Sequence, residues 1–288
     1  MAKYEQPEIK IFHGNKKGLS LLIFGAIHGD EVCGPFSIKK IIKDIESKRI
    51  IIEKGTIVLV PICNPIAYKK RMRFVEENLN RVFKTWSNSN SYEKKLANSL
   101  TLLVKNCDIF LDIHSMEAKS VPMTFIDSPN KSNVSFSRIL GANYSIEGWP
   151  ELYRKNGQGI SSYDTMAYAE KHSKKCAVIE CGQHKDINSK KVAYQTIINT
   201  LRHFGFIDGK VKSKKLSEIR MKKLFIKENK KDFLIKNWKN FDSFKKGDIL
   251  ASKSDGKKII AAFNGVIIFP NEKAKVGTEW FYLGTIKQ

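Results

Sequence analysis

The chain has 288 residues, 42% of them hydrophobic, enough to bury a large core in one sizeable domain or in one domain with a small appendage. Its apolar runs fall far short of the ~20 residues a membrane helix needs, and MAKYEQPEIK lacks the apolar centre of a secretory signal, so a cytoplasmic protein with no membrane partner is expected. Lys and Arg number 51 against 29 Asp and Glu, a net charge of +22, but the excess is mostly Lys spread along the chain without a platform of spaced aromatics; nucleic acid is not expected as a partner.

In chain order, GLSLLIFGAI (18–27) reads as a buried strand, a short apolar run bounded by polar residues and Gly. GPFSIKKIIKDIESK (34–48) follows with Phe36, Ile38, Ile41, Ile42 and Ile45 at helical spacing. GTIVLVPICNP (55–65) is a second strand, ended by the turn signal Asn64-Pro65. It leads to a loop, KKRMRFVEENLNRVF (69–83), and a polar stretch, KTWSNSNSY (84–92). A helix is predicted over 91–107, with Ser91 as N-cap and Leu96, Leu100 and Leu103 on one face. CDIFLDIHS (107–115) and KCAVIECG (175–182) are two more strands, and 189–206 is a closing helix. Near-continuous apolar strands alternating with helices predict an α/β domain whose mostly parallel sheet is covered on both faces. After Gly209 the segments are short, strand-like and separated by Gly, Asn and Asp, so the expected division is residues 1–209 as the α/β part and 210–288 as a small all-β part.

Three strands end in polar clusters, at the carboxyl edge where open α/β sheets place their sites: His28-Gly-Asp-Glu31, Asp112-Ile-His114-Ser115 and Glu180-Cys-Gly182. Two imidazoles and a carboxylate from His28, Glu31 and His114 match the ligand set of a catalytic zinc with one position left for water. Nitrogen donors favour zinc over magnesium or calcium. Gly29 permits the sharp turn that brings His28 and Glu31 to one ion. Glu180 is the candidate base, and Asp30 reads as a loop residue near the pair. The loop holds Arg71, Arg73 and Arg81 in a chain that otherwise prefers Lys, which suggests a need for a planar fork on a carboxylate. Each residue also has a structural reading taken singly: an interior histidine, a helix-capping glutamate, arginines paired with Glu76 and Glu77. Five scattered cysteines without a CxxC pair exclude a disulfide framework and a Cys-rich zinc site, leaving buried free thiols.

GAIHGDE (25–31), Asn64-Pro65, the Arg73 to Asn80-Arg81 spacing, DIHS (112–115) and IECG (179–182) together resemble the succinylglutamate desuccinylase and aspartoacylase family, relatives of the zinc carboxypeptidases, over residues 20–205. FNGVIIFP and GTEWFYLG are similar to the β domain that follows in these proteins. The resemblance implies a three-layer α/β/α, zinc-carboxypeptidase-like catalytic domain. It implies one Zn2+ per chain on His28, Glu31 and His114, with Glu180 as general base and proton shuttle. Arg73 would stabilise the oxyanion, Asn80 and Arg81 would hold the substrate's α-carboxylate, and Tyr282 would correspond to a substrate-contacting tyrosine. The implied activity is hydrolysis of a small-molecule N-acyl amino acid. A carboxypeptidase on small peptides and a non-enzymatic, basic anion-binding or nucleic-acid-binding protein are the alternatives. Two departures stand out: Asn78 occupies a position where the family commonly has Asp, and 163–180 offers tyrosines and lysines but no arginine for an acidic substrate.

Overall fold

A computed structural model of the chain describes residues 4–126, 130–155 and 163–287. In chain order the elements begin with β1 (Lys10–His13), β2 (Lys16–Gly25), α1 (Cys33–Glu46), β3 (Lys54–Val60), α2 (Pro65–Lys70), a 3-10 turn at Leu79–Arg81, and α3 (Tyr92–Asn106). They continue with β4 (Ile109–Met116), β5 (Met123–Ile126), α4 (Lys131–Ser137), β6 (Tyr144–Glu147), α5 (Trp149–Lys155), α6 (Thr165–Lys171), β7 (Lys175–Gln183) and α7 (Ile187–His203). The remainder is all strand: β8 (Ser217–Ile226), β9 (Phe233–Leu234), β10 (Ser243–Phe244), β11 (Ile249–Ser252), β12 (Lys258–Ile260), β13 (Gly265–Ile268) and β14 (Glu279–Ile286).

The strands predicted at 18–27, 55–65, 107–115 and 175–182 form the parallel centre of the molecule, in the order β3-β2-β4-β7. Their continuous hydrophobicity follows from burial on both faces. Leu21, Ile23, Ile57, Leu59, Ile109, Leu111, Ala177 and Ile179 pack with α1 and α7. The alternate residues Leu22, Phe24, Val60, Phe110, Cys176 and Val178 pack with Leu96, Leu100 and Val104 of α3 and with α6. Side chains of a strand point alternately to its two faces, so a helical layer on each side calls for apolar residues at every position. All five cysteines are buried thiols.

The sheet does not stop at β7. β5 joins it antiparallel, β6 and β8 follow in parallel, and β14, β13 and β10 extend it antiparallel to eleven strands. The C-terminal strands are therefore hydrogen-bonded into the sheet of the α/β part, and only β9, β11 and β12 form a separate three-stranded sheet. No helix among the described residues is long and apolar enough to cross a membrane.

Candidate metal centre

β2, β4 and β7 end side by side, and register sets what faces what. Phe24 pairs with Asp112, and His114 lies directly across from Glu180. Beyond β2 the chain bends at Ala26 (φ 46°) and carries His28 and Glu31 over the end of β4. Gly29 is needed here for space rather than for the turn: a Cβ at this position would lie 2.2 Å from the backbone carbon of Ala67. α2 approaches that closely because Asn64 caps it, with Pro65 in its first turn; the Asn64-Pro65 turn signal is a helix start.

His28, Glu31 and His114 are all buried, and they form the one group among the described residues whose donor atoms could share a metal ion, all within 4.8 Å of one another. Glu31 spans the two imidazoles. Its Oε1 lies 2.7 Å from His28 Nδ1 and its Oε2 lies 3.1 Å from His114 Nδ1. The far nitrogens are also committed. His28 Nε2 is 3.1 Å from Asn78 Oδ1, an oxygen that also accepts the Asn80 amide at 3.0 Å. His114 Nε2 is 2.9 Å from Asp112 Oδ2, off the line of a well-directed hydrogen bond, and the same Asp112 oxygen accepts the Thr165 hydroxyl at 2.6 Å.

This arrangement tests whether a cation fits. A neutral imidazole has one N–H. With it on Nε2, toward Asn78 or Asp112, Nδ1 turns a lone pair onto a carboxylate oxygen, a contact that positive charge between them resolves. Burial, reinforced by Arg73, pulls His28 down to about 4, so that ring is neutral near pH 7. Burial also lowers His114, but the Asp112 and Glu31 carboxylates outweigh it and hold this ring well above its usual value. Glu31, despite the upward push of burial, is held well below the ordinary carboxylate range by His114 and His28. Without metal, the proton on His114 supplies the positive charge of the cluster. The set of two nitrogens and a carboxylate, each fixed by a further partner, suits zinc.

Glu180 completes the group. Its Oε2 is buried with no hydrogen-bond partner among the described residues, and burial, then the Glu31 charge, push the carboxyl up to about 8. Neither a helix cap nor a lysine partner accounts for it.

The loop before α3 reaches this centre from the side. Arg73 is half exposed, with Nη1 3.7 Å from Glu31 Oε1. Asn80 and Arg81 occupy the 3-10 turn; Asn80 Oδ1 accepts the Thr165 amide at 3.0 Å, and Arg81 Nη1 donates to the Asn80 carbonyl at 2.8 Å. Arg71 ends α2 in a left-handed conformation and is exposed. Glu76 and Glu77 do not pair with these arginines: Glu76 accepts the Tyr92 amide, and Glu77 accepts the Ser91 hydroxyl and pairs with Lys94. Tyr282 is buried on β14, its hydroxyl 2.6 Å from that of Tyr153 and its ring stacked on Trp149. The Arg81 charge acts on both tyrosines, yet burial raises both hydroxyls well above their usual range.

Thr165 and Asp164 escaped the sequence reading, and Asp112 entered it only as part of a polar cluster, without a role. Asp112 had a usable signal, because residues two apart on a strand share a face and Asp112 precedes His114 by two. Thr165 and Asp164 lie far along the chain and carry none.

Residues 17–204 match the family model described as the succinylglutamate desuccinylase/aspartoacylase catalytic domain. A succinylglutamate desuccinylase from Vibrio campbellii is 25% identical over 272 residues, covering 90% of this chain and 78% of the relative. Among solved structures, a succinylglutamate desuccinylase/aspartoacylase from Rhodobacter sphaeroides superposes with a TM-score of 0.76 at 15% identity, over 97% of this chain and 89% of that one. A product-bound ectoine utilization protein EutE (DoeB) from Ruegeria pomeroyi gives a TM-score of 0.76 at 22% identity, over 96% and 88%. At those identities the two structures share the fold.

Proposed function

The chain belongs to the succinylglutamate desuccinylase/aspartoacylase family of hydrolases, and on that premise we propose that it is a cytoplasmic, zinc-dependent amidohydrolase that splits a small N-acyl amino acid into a carboxylic acid and a free amino acid. The carrying observation is the pair of imidazole Nδ1 atoms turned onto the two oxygens of one glutamate, with Glu180 Oε2, which has no partner among the described residues, beside them. In this reading residues 1–209 carry the chemistry and residues 210–288 contribute Tyr282.

His28, Glu31 and His114 would hold the ion. Zinc bound there supplies Lewis acidity and makes a water acidic enough to attack a carbonyl near neutral pH. Glu180 accepts the proton of the attacking water and returns it to the departing amine. Its place across from His114 puts it next to the cluster, and a cation there keeps it ionised. Arg73 is exposed enough to meet a substrate and near enough to Glu31 to stabilise the oxyanion. Asn80 and Arg81 hold the α-carboxylate: with Asn80 Oδ1 and Arg81 Nη1 already engaged, the Asn80 amide protons and the remaining guanidinium N–H groups are the donors on offer.

The test is metal analysis followed by a panel of N-acyl amino acids and dipeptides scored for released amine. We expect about one zinc per chain, activity lost on chelation, and a fall of ~10²-fold or more in kcat for Glu180→Gln with metal content intact. Full turnover in the chelated protein or in Glu180→Gln would refute the reading, and preference for dipeptides would move the activity to a carboxypeptidase.

A further inference from the structure

The helix that follows the arginine loop opens with Ser91, Tyr92 and Glu93, and an acidic residue in a first turn ordinarily serves the helix dipole from the surface. Glu93 does not face solvent. It is fully buried, and among the described residues no Lys or Arg pairs with it. A buried carboxylate is costly unless its oxygens are filled by donors. The donors come from the loop: Oε1 accepts the Val75 amide at 2.7 Å and the Asn64 side-chain amide at 3.2 Å, and Oε2 accepts the Glu76 and Glu77 amides, both at 3.2 Å.

We propose that Glu93 is the positioning residue of the substrate-holding loop, winding residues 75–77 around its carboxylate so that Arg73, Asn80 and Arg81 are presented to the His28–Glu31–His114 cluster. Between the end of α2 at Lys70 and the 3-10 turn at Leu79 the chain has no regular structure of its own, so its amides need outside partners. Glu93 supplies them from a rigid helix, and the loop returns the bonds, Glu76 accepting the Tyr92 amide at 2.8 Å and Glu77 the Ser91 hydroxyl. On one side of this clasp the Arg73 carbonyl accepts the Gly29 amide at 3.2 Å, tying the loop to the turn that carries His28 and Glu31. On the other side Asn78 meets His28, and Asn80 bonds Thr165, whose hydroxyl holds Asp112 behind His114. Asn64 belongs to the same device, capping α2 with its oxygen and bonding Glu93 with its nitrogen.

The inference rests on the roles proposed above for Arg73, Asn80 and Arg81, so its experiment separates the two. Glu93→Gln puts an NH2 where backbone N–H groups now point, setting donors against donors and releasing the loop. Two readouts follow. Hydrogen exchange in the peptide spanning 71–81 should quicken by at least about 10-fold while β2 and β4 exchange as before. On an N-acyl amino acid the variant should lose ~10- to 100-fold in kcat/KM, through KM as Asn80 and Arg81 loosen and through kcat as Arg73 does. An analogue lacking the α-carboxylate, which still meets Arg73 but offers Asn80 and Arg81 nothing to hold, should lose clearly less than the N-acyl amino acid. Glu93→Asp, which keeps the charge but withdraws the oxygens, should fall between the two and serves if Glu93→Gln does not fold. Unchanged exchange in 71–81, or equal losses on both substrates, overturns the proposal. If the unaltered protein hydrolyses no N-acyl amino acid yet Glu93→Gln frees the loop, the clasp stands and the functional reading falls.

Discussion

His28 Nε2 lies 3.1 Å from the side-chain oxygen of Asn78, and that oxygen is fixed in direction because it also accepts the Asn80 amide at 3.0 Å. A ring with its hydrogen on Nε2 satisfies that oxygen and turns Nδ1 to the metal position. His114 is backed instead by a carboxylate, Asp112, at 2.9 Å. A carboxylate behind an imidazole raises its basicity more than an amide does. The sequence resemblance marked Asn78 as a departure in charge near the carboxylate-binding pair; its contact with His28 gives it a second effect, on the metal ligand. We expect Asn78→Ala to weaken zinc binding ~10- to 100-fold and Asn78→Asp to strengthen it, read by competition with a coloured chelator. Equal affinities for all three proteins would remove Asn78 from the site.

Proton counting gives an independent check on Glu180. Burial and the Glu31 charge set it at about 8 in the metal-free protein, against an ordinary 4.5. It is then largely protonated at pH 7, and a nearby dication reverses the preference. Zinc loading should expel this proton together with the one on His114. Titration calorimetry at pH 7 in buffers of different ionisation enthalpy should find about one proton fewer released by Glu180→Gln. An unchanged proton count means Glu180 is already ionised before metal arrives.

How much of this was legible in the sequence depends on range. β2, β3, β4 and β7 declare themselves because burial on two faces removes polar residues from every position. His28, Glu31, His114 and Glu180 stand out because they interrupt those runs at one edge. The strands β5 and β6 lie in a stretch where apolar residues are few and spaced irregularly, and they form because β7 and β8 offer edges to pair with. That joins the C-terminal strands to the main sheet, a pairing between residues roughly seventy positions apart that local pattern does not encode. Glu93 is the clearest case of an opaque residue: as a sequence feature it is a first-turn glutamate, and only the fold brings Val75, Glu76 and Glu77 to it.

Asp164 gives a stability prediction with a definite sign. It caps α6 by accepting the Ala167 amide at 2.7 Å, and burial, only partly countered by that bond and by Arg81, raises it from 3.8 to about 6. A carboxyl raised in the folded state favours folding while it is protonated. That contribution is fully present below about pH 4 and is lost as pH rises through about 6. Asn caps a helix as well as Asp and does not ionise. Asp164→Asn should therefore melt with the unaltered protein at pH 4 and above it at pH 7, by on the order of 2 kcal/mol. A constant difference across pH 4 to 7 would show that ionisation of Asp164 is not its source.

The direction of the hydrogen bonds around Tyr282 limits what it can do for a substrate. Tyr153 donates its hydroxyl proton to Glu279 at 2.9 Å, so across the 2.6 Å contact between the two tyrosines it is Tyr282 that donates. Tyr282 is then left with lone pairs only, suited to an N–H of the substrate rather than to its carboxylate. Among the described residues Arg81 has guanidinium N–H groups beyond the one bonded to Asn80, and it is the stronger carboxylate holder of the two. Tyr282→Phe removes one buried hydrogen bond and should lower the melting temperature by a few degrees, about 1 kcal/mol, with a small change in KM. Arg81→Lys gives up the planar fork and should raise KM by ~10-fold or more at an unchanged melting temperature. Steady-state kinetics with thermal melts of both variants checks the pair. If Tyr282→Phe raises KM as far as Arg81→Lys, the hydroxyl turns its proton to the substrate, and the donation from Tyr282 to Tyr153 is given up on binding.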